Sequence, residues 1–103
     1  MSYVVIARWT ARPGNEDGVR RALAALAPPS QAEPGCLAYR PVQSTEDPCA
    51  FLIFEEYVDE EAYQAHAASE HFRRHALEEG IPLLESRERT YFAPVGGPDP
   101  GAA

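Results

Sequence analysis

The chain has 103 residues, which suffices for one domain with a single modest core. Hydrophobic residues make up 45% of the chain and charged residues 24%, a balance typical of a globular protein rather than a disordered one. The net charge of −7 argues against a nucleic acid or an anionic membrane as partner, and the complete absence of lysine excludes Schiff-base chemistry.

Cellular location is predicted from two further features. No apolar run reaches the roughly 18 residues that a membrane helix needs, and the N-terminus lacks the basic segment and cleavage site of a signal peptide. Cys36 and Cys49 are predicted to lie near opposite ends of one hairpin, too far apart for a disulfide, so we expect two free thiols. These features predict a cytoplasmic protein with no membrane partner.

The N-terminal part of the chain predicts a strand followed by a helix. Residues 3–10 form an almost continuous apolar run typical of a buried strand. After a short turn, Asn15 can cap a helix, and Pro28 and Pro29 are predicted to end it. One face of this helix is apolar at helical spacing and comprises Val19, Ala22, Leu23 and Leu26.

The remaining chain predicts a hairpin, two helices and a last strand. The hairpin strands are Cys36–Ser44 and Cys49–Val58, joined by a turn-forming cluster. Asp59 caps the next helix, and Ser69 can cap a further short helix that Gly80 ends. Leu84–Ala93 forms the last strand.

This order is β-α-β-β-α-β and predicts a ferredoxin-like α+β fold, an antiparallel sheet with helices on one face only. We expect residues 1–95 to form this single domain and residues 96–103 to be a flexible C-terminal tail. The third strand is apolar on both of its sides, so the sheet face without helices also needs a cover. A second copy of the chain is the simplest cover, and we therefore predict a homodimer.

Three titratable residues are the candidates for acid–base chemistry. His66 lies late in the helix that Asp59 caps, and His71 follows five residues later. In a continuous helix the two side chains would point about 140° apart around the axis. They can share a face only if the helix breaks near Ser69. Glu55 and Glu56 point to opposite faces of a largely apolar strand, so at least one carboxylate is buried and needs a partner. Each candidate also has a structural alternative. His66 could be a histidine at the edge of the core, His71 a packing or dimer-contact residue, and Glu55 a carboxylate that only fixes a neighbouring helix or arginine by a hydrogen bond.

Cofactor motifs are missing from the chain. No glycine-rich phosphate loop or G-x-G-x-x-G is present, so a nucleotide, NAD or flavin has no motif to bind. The donors of His66, His71 and Glu55 suit iron(II) or manganese, but they lack the H-E-x-x-H spacing, and no cysteine cluster supports zinc. We predict neither a metal nor an organic cofactor.

Segments covering most of the chain resemble the antibiotic biosynthesis monooxygenase family. Glu33–Tyr39 fits the pattern E-G/P-G-C/N-x-x-Y, Glu55–Tyr57 fits E-x-W/Y, and Ala62–Phe72 fits A-x-x-x-H-x-x-x-x-H-F/Y/M. The resemblance implies a dimeric α+β barrel. It also implies oxidation of an electron-rich aromatic, such as a quinol, an anthrone or a related polyketide, with O₂ and without a cofactor.

The resemblance also suggests roles for individual residues. His66 would be the base, with His71 at the family's second histidine and Glu55 orienting or polarising a histidine. Tyr39 or an arginine would hold the substrate oxyanion. Three aromatic side chains would sandwich the aromatic ring of the substrate: Trp9, Tyr57 and Phe72.

Other activities occur on the same fold. Haem-degrading relatives use an asparagine on the first strand and a tryptophan on the second helix, where this chain has Ala7-Arg8-Trp9 and His66, which argues against haem degradation. The histidine segment resembles equally the relatives that isomerise a small phosphorylated hydroxy-diketone, for which Arg87 and Arg89 could meet the phosphate. A dimeric module that only binds a small molecule is the non-enzymatic alternative.

Overall fold

The computed structural model describes residues 2–96 and has the predicted ferredoxin-like α+β fold. A four-stranded antiparallel sheet has the order β2-β3-β1-β4. The strands are β1 (Tyr3–Ala11), β2 (Cys36–Gln43), β3 (Ala50–Tyr57) and β4 (Leu84–Phe92). The helices are α1 (Glu16–Gln31), α2 (Glu60–Ala67) and α3 (Phe72–Gly80), and a 3₁₀ turn (Ile81–Leu83) leads into β4. Apart from Gly96, the tail predicted at 96–103 lies outside the described residues.

The core lies between the sheet and its helices. The central strands β1 and β3 supply its most buried side chains, including Val5 and Ile53, and α1 packs its predicted apolar face against them. On β3 the alternation of side chains places Glu55 on the helix side and Glu56 on the open side. The two adjacent glutamates are thereby sorted into a buried carboxylate and a rim carboxylate.

The predicted end of α1 is wrong. Pro28 and Pro29 lie inside the helix, which runs to Gln31. A proline removes its own N–H donor but keeps its carbonyl acceptor, and the Ala32 N–H donates to the Pro28 carbonyl at 3.1 Å. Ser30, in this last turn, is fully buried. Asn15 takes the predicted N-cap position, but its side chain makes no capping hydrogen bond.

The predicted break between the second and third helices is present. The Ser69 hydroxyl donates to the His66 carbonyl at 2.7 Å and accepts the Phe72 N–H at 3.1 Å, so it ends α2 and starts the next turn. The α3 helix that follows has π-type hydrogen bonding, a form that is frequent at functional sites. Because the chain changes direction here, His66 and His71 can face the same space.

Cys36 and Cys49 are both unpaired, in agreement with the prediction of free thiols. Within residues 2–96, no helix has the length and apolarity required to cross a membrane. The cytoplasmic location stays a prediction.

Candidate functional site

Glu55 is a titratable group that lies buried beneath the helices. Only 5% of the residue is exposed, and Oε1 accepts a hydrogen bond from the Tyr57 hydroxyl at 2.7 Å. Burial raises the pKa of the Glu55 carboxyl to about 7, although the Tyr57 hydrogen bond and the charge of Arg89 act in the opposite direction. Near neutral pH this carboxyl can therefore either hold or release a proton.

His66 lies at the centre of the site, with 1% of the residue exposed. Aromatic rings surround its imidazole, with centroids 5.2 Å away for Tyr39, 5.6 Å for Tyr57 and 5.2 Å for Phe72. Burial lowers the pKa of His66, and the neighbouring Glu33 offsets only part of this effect. The imidazole is consequently neutral near pH 7 and has one nitrogen lone pair to offer.

Glu33 joins the two histidines. Its Oε2 lies 2.8 Å from Nδ1 of His66 and 2.5 Å from Nε2 of His71. An ionised carboxylate can only accept hydrogen bonds, so the proton of neutral His66 resides on Nδ1. The lone pair is then on Nε2, on the far side of the ring, 3.9 Å from Oε1 of Glu55.

Sequence reasoning gave Glu33 no role, although it begins the first of the three quoted patterns. The usable signal was its place in that pattern. In the structure, Gly35 follows two residues later, and a Cβ at this position would lie 2.5 Å from Cβ of Ala62. The loop between α1 and β2 therefore packs directly on α2, one turn before His66, and this close approach brings Glu33 within reach of both imidazoles.

We expect Gly35→Ala to destabilise the protein by about 1–3 kcal/mol, because the added methyl forces the loop and α2 apart. Denaturant unfolding measures the loss. Ala62→Gly removes the opposing methyl, so the double variant Gly35→Ala/Ala62→Gly should recover more stability than the sum of the single changes allows. Strict additivity of the two substitutions would show that the contact does not set the position of the loop.

A small cavity lies between the sheet and the helices, with His66 and Glu55 in its wall. Its volume is about 20 Å³, enough for roughly one water molecule but too small for an aromatic ring. Most of the predicted site residues line it: Trp9, Tyr39, Glu55, His66 and Phe72. Tyr57 lies beside it, bonded to Glu55, and His71 lies on the opposite side of Glu33 with 22% of its side chain exposed.

Arg89 adds a cation to the cavity wall. It lies on β4, and its Nη1 donates to the Tyr63 hydroxyl at 2.7 Å; both side chains line the cavity. Arg87 lies on the same side of β4 but does not line the cavity; both arginines are exposed to solvent. His75 is half-buried and pairs with Glu79 at 2.9 Å, outside the cavity.

The two-histidine, one-carboxylate group considered from the sequence has a different carboxylate in the structure. Donor atoms of Glu33, His66 and His71 all lie within 4.8 Å of one another. Glu55 faces the opposite edge of the His66 ring from Glu33, so it cannot complete this set.

Comparison with known proteins gives a consistent result. The sequence profile described as antibiotic biosynthesis monooxygenase matches residues 2–76. Rv0793 of Mycobacterium tuberculosis, which carries a provisional monooxygenase name, is 32% identical over 91 residues, 88% of this chain and 89% of Rv0793. Its solved structure superposes with a TM-score of 0.85 at 29% identity, covering 96% of this chain and all of that one.

A second solved structure, PA3566 of Pseudomonas aeruginosa, is equally similar. It superposes with a TM-score of 0.87 at 33% identity and covers 92% of this chain and 95% of that one. A structure titled antibiotic biosynthesis monooxygenase has a TM-score of 0.84 at 28% identity, over 91% of this chain and 99% of that one. The similarity thus extends over the whole fold.

Proposed function

Because this chain belongs to the antibiotic biosynthesis monooxygenase family, we propose that it oxidises an electron-rich aromatic, a quinol, an anthrone or a similar polyketide, with O₂ and without a metal or organic cofactor. The observation that carries the proposal is the orientation of His66. Glu33 holds the proton on Nδ1, which leaves the lone pair on Nε2, towards Glu55 in the wall of a small cavity lined with aromatic rings.

The first step is removal of a substrate proton. A phenol or enol has a pKa near 10 in water, and its anion gives electrons to O₂ far more readily than its neutral form. Nε2 of His66 takes the proton, and the Glu33 carboxylate stabilises the imidazolium that results. Burial raises the pKa of Tyr39, so its hydroxyl keeps its proton and, together with Arg89, can donate hydrogen bonds to the substrate oxyanion.

The second step transfers electrons from the substrate anion to O₂, and the substrate is the only reductant. The carbanion carbon bonds to O₂, and His66 returns its proton to the terminal oxygen, which gives a hydroperoxide. The O–O bond and the remaining C–H bond at that carbon then break together, and the hydroxide leaves with this second proton as water. For an anthrone, the CH₂ carbon becomes a carbonyl, so one oxygen atom enters the product and the other leaves as water. The protein supplies the base, the oxyanion donors and the exclusion of bulk water.

Substrate entry requires the cavity to widen. Trp9 on β1 and Phe72 at the start of α3 lie on its walls and would stack on the substrate ring. Tyr57 packs against His66 and bonds to Glu55, so its role is to position these two groups. We propose that Phe72 and the first turn of α3 move outward, because the break at Ser69 leaves this turn separate from α2.

Oxygen uptake by metal-stripped protein, measured with a panel of quinols and anthrones, tests the proposal. We expect uptake above the autoxidation rate, with matching quinone formation that a chelator does not reduce. Uptake equal to autoxidation across the panel would argue against an oxygenase.

Arg89 favours one second candidate, isomerisation of a small phosphorylated hydroxy-diketone. A phosphate could bind the guanidinium while His66 moves a proton between carbons. Turnover of such a compound without oxygen consumption would support this reaction. Binding of aromatic ligands without turnover of either substrate class would identify a small-molecule-binding protein instead.

We further propose that the protein is a homodimer that buries the open face of the sheet. The helices cover only one face, and the opposite face carries apolar side chains from all four strands. Val42 and Phe92 remain 46% and 50% exposed there. The apolar side chains are interspersed with charged ones, including Arg8 and Glu88, a mixture that is common at interfaces between subunits. The twofold packing of two such sheets gives an α+β barrel.

Phe54→Glu should convert the dimer to a monomer, because it places a charge at the middle of the open face, on the central strand β3. Light scattering coupled to size-exclusion chromatography measures the mass. Leu77→Glu is the matched control, since Leu77 is 47% exposed on α3, on the helix side of the sheet, and should leave the mass unchanged. A Phe54→Glu protein with the wild-type mass would place the interface elsewhere.

A further inference from the structure

We propose that Glu33, His66 and His71 form a binding site for a divalent cation of the zinc type, and that a cation bound there switches off the base. The inhibitory part rests on the proposed role of His66 as that base. No metal takes part in the proposed oxygenase reaction, so this cation would inhibit the reaction rather than catalyse it.

The donor atoms suit such a cation. Two imidazole nitrogens and a carboxylate oxygen are one of the common three-residue ligand sets of zinc, with a water in the fourth position. Zinc ligands at about 2.0–2.1 Å in a tetrahedron lie about 3.3 Å apart. Oε2 of Glu33 is 2.8 Å and 2.5 Å from the two nitrogens, so it must withdraw by less than about 1 Å to admit the ion.

The surroundings allow both the movement and the entry of the ion. Glu33 lies in the loop between α1 and β2, and its side chain is 14% exposed, while that of His71 is 22% exposed. The side chain of His66 is only 2% exposed. A cation therefore approaches from the His71 side and keeps a solvent molecule as its fourth ligand, and the net charge of −7 favours its approach.

The consequence for His66 follows from the chemistry of the neutral imidazole. It binds a metal through one nitrogen and carries its proton on the other. Without the cation, Nδ1 carries the proton and Nε2 has the lone pair. With the cation on Nδ1, the proton must be on Nε2, where it points towards Glu55. His66 can thus be a base or a metal ligand, but not both.

Isothermal titration of chelator-treated protein with zinc chloride tests the site. We expect one zinc per chain, and at least tenfold weaker binding by Glu33→Gln and by His71→Ala. His75→Ala is the matched control, because His75 pairs with Glu79 and is not one of the three proposed ligands, and it should bind zinc as the wild type does. The site would be overturned if zinc did not bind stoichiometrically, or if Glu33→Gln and His71→Ala bound zinc with the affinity of the wild type.

The switch is tested by two measurements, of which the first does not need turnover. Proton–nitrogen NMR of the histidine side chains should show the proton of His66 on Nδ1 in the stripped protein and on Nε2 after zinc is added. Zinc should also inhibit oxygen uptake by the wild type in proportion to occupancy, with a midpoint shifted at least tenfold in His71→Ala. Zinc binding without the change of tautomer would overturn the switch, whether or not the protein proves to be an oxygenase.

Discussion

His66→Ala is expected to lower kcat/KM for oxygen-dependent oxidation by about 10²–10⁴-fold, the usual contribution of a positioned general base. The loss should arise mainly in kcat, since Tyr39, Trp9 and Phe72 remain to bind the ring. Deprotonation of the substrate would then depend on water, of which the cavity has room for about one molecule. Steady-state oxygen uptake under saturating O₂, corrected for autoxidation, measures the effect.

Two further measurements separate the loss of a base from a loss of structure. Free imidazole should restore part of the rate of His66→Ala, because the missing ring leaves a space of its own shape. His66→Asn keeps an amide that can donate to Glu33, and should fold well yet stay as slow as the alanine variant. A variant with more than a tenth of the wild-type rate would contradict the role of His66.

The second large effect concerns stability rather than rate. Glu55→Gln should make the protein more stable above neutral pH, by about 3 kcal/mol at pH 8, because burial raises the pKa of Glu55 from 4.5 to about 7. The contribution of the wild-type Glu55 carboxyl to stability is fully present below pH 4.5, where the carboxyl is protonated in both the folded and the unfolded protein. It is lost as the pH rises through 7, where the folded protein must bury the charge. Glutamine keeps the acceptor for the Tyr57 hydroxyl and carries no charge.

Denaturant unfolding at pH 5.5 and pH 8, at fixed protein concentration and with a chelator present, measures the effect. The wild type should lose about 2 kcal/mol more than Glu55→Gln between the two pH values. Glu46→Gln is the matched control, since Glu46 is an exposed carboxylate in the turn between β2 and β3. Equal pH dependence of the wild type and Glu55→Gln would show that the Glu55 carboxyl is not destabilised in the folded protein.

The same substitution should reduce catalysis, because the carboxylate no longer stabilises an imidazolium 3.9 Å away. The charge of Glu55 would then lower the free energy of unfolding and raise the reaction rate. This trade-off between stability and activity is typical of active-site residues. Stability gained together with activity lost would therefore distinguish a functional Glu55 from one that only fixes a neighbouring group.

The order of strands and helices could be predicted from the sequence because each element has a local cause. The strand runs are apolar, Asp59 and Ser69 accept hydrogen bonds as caps, and each strand boundary lies within one residue of the predicted one. The alternation on β3 also predicted that Glu55 and Glu56 would separate. Local patterns could not say which glutamate would be buried, because both faces of β3 are apolar.

The polar centre of the site could not be predicted in this way. Glu33 meets His66 only because the loop at Gly35 packs against Ala62, and no periodicity reports a contact between a loop and a helix. Arg89 meets Tyr63 through the pairing of β4 with β1, at the opposite edge of the sheet from the hairpin. Such contacts depend on the assembled fold, whereas caps and apolar stripes depend on neighbours along the chain.

Oxidation of an anthrone under ¹⁸O₂ with metal-stripped protein tests the central claim most directly. Mass spectrometry should find one ¹⁸O atom in the quinone product, with no hydrogen peroxide formed and with no effect of a chelator. Quinone without the label, formed together with stoichiometric hydrogen peroxide, would show that the protein transfers electrons to O₂ without inserting oxygen. That result would contradict a cofactor-independent monooxygenase.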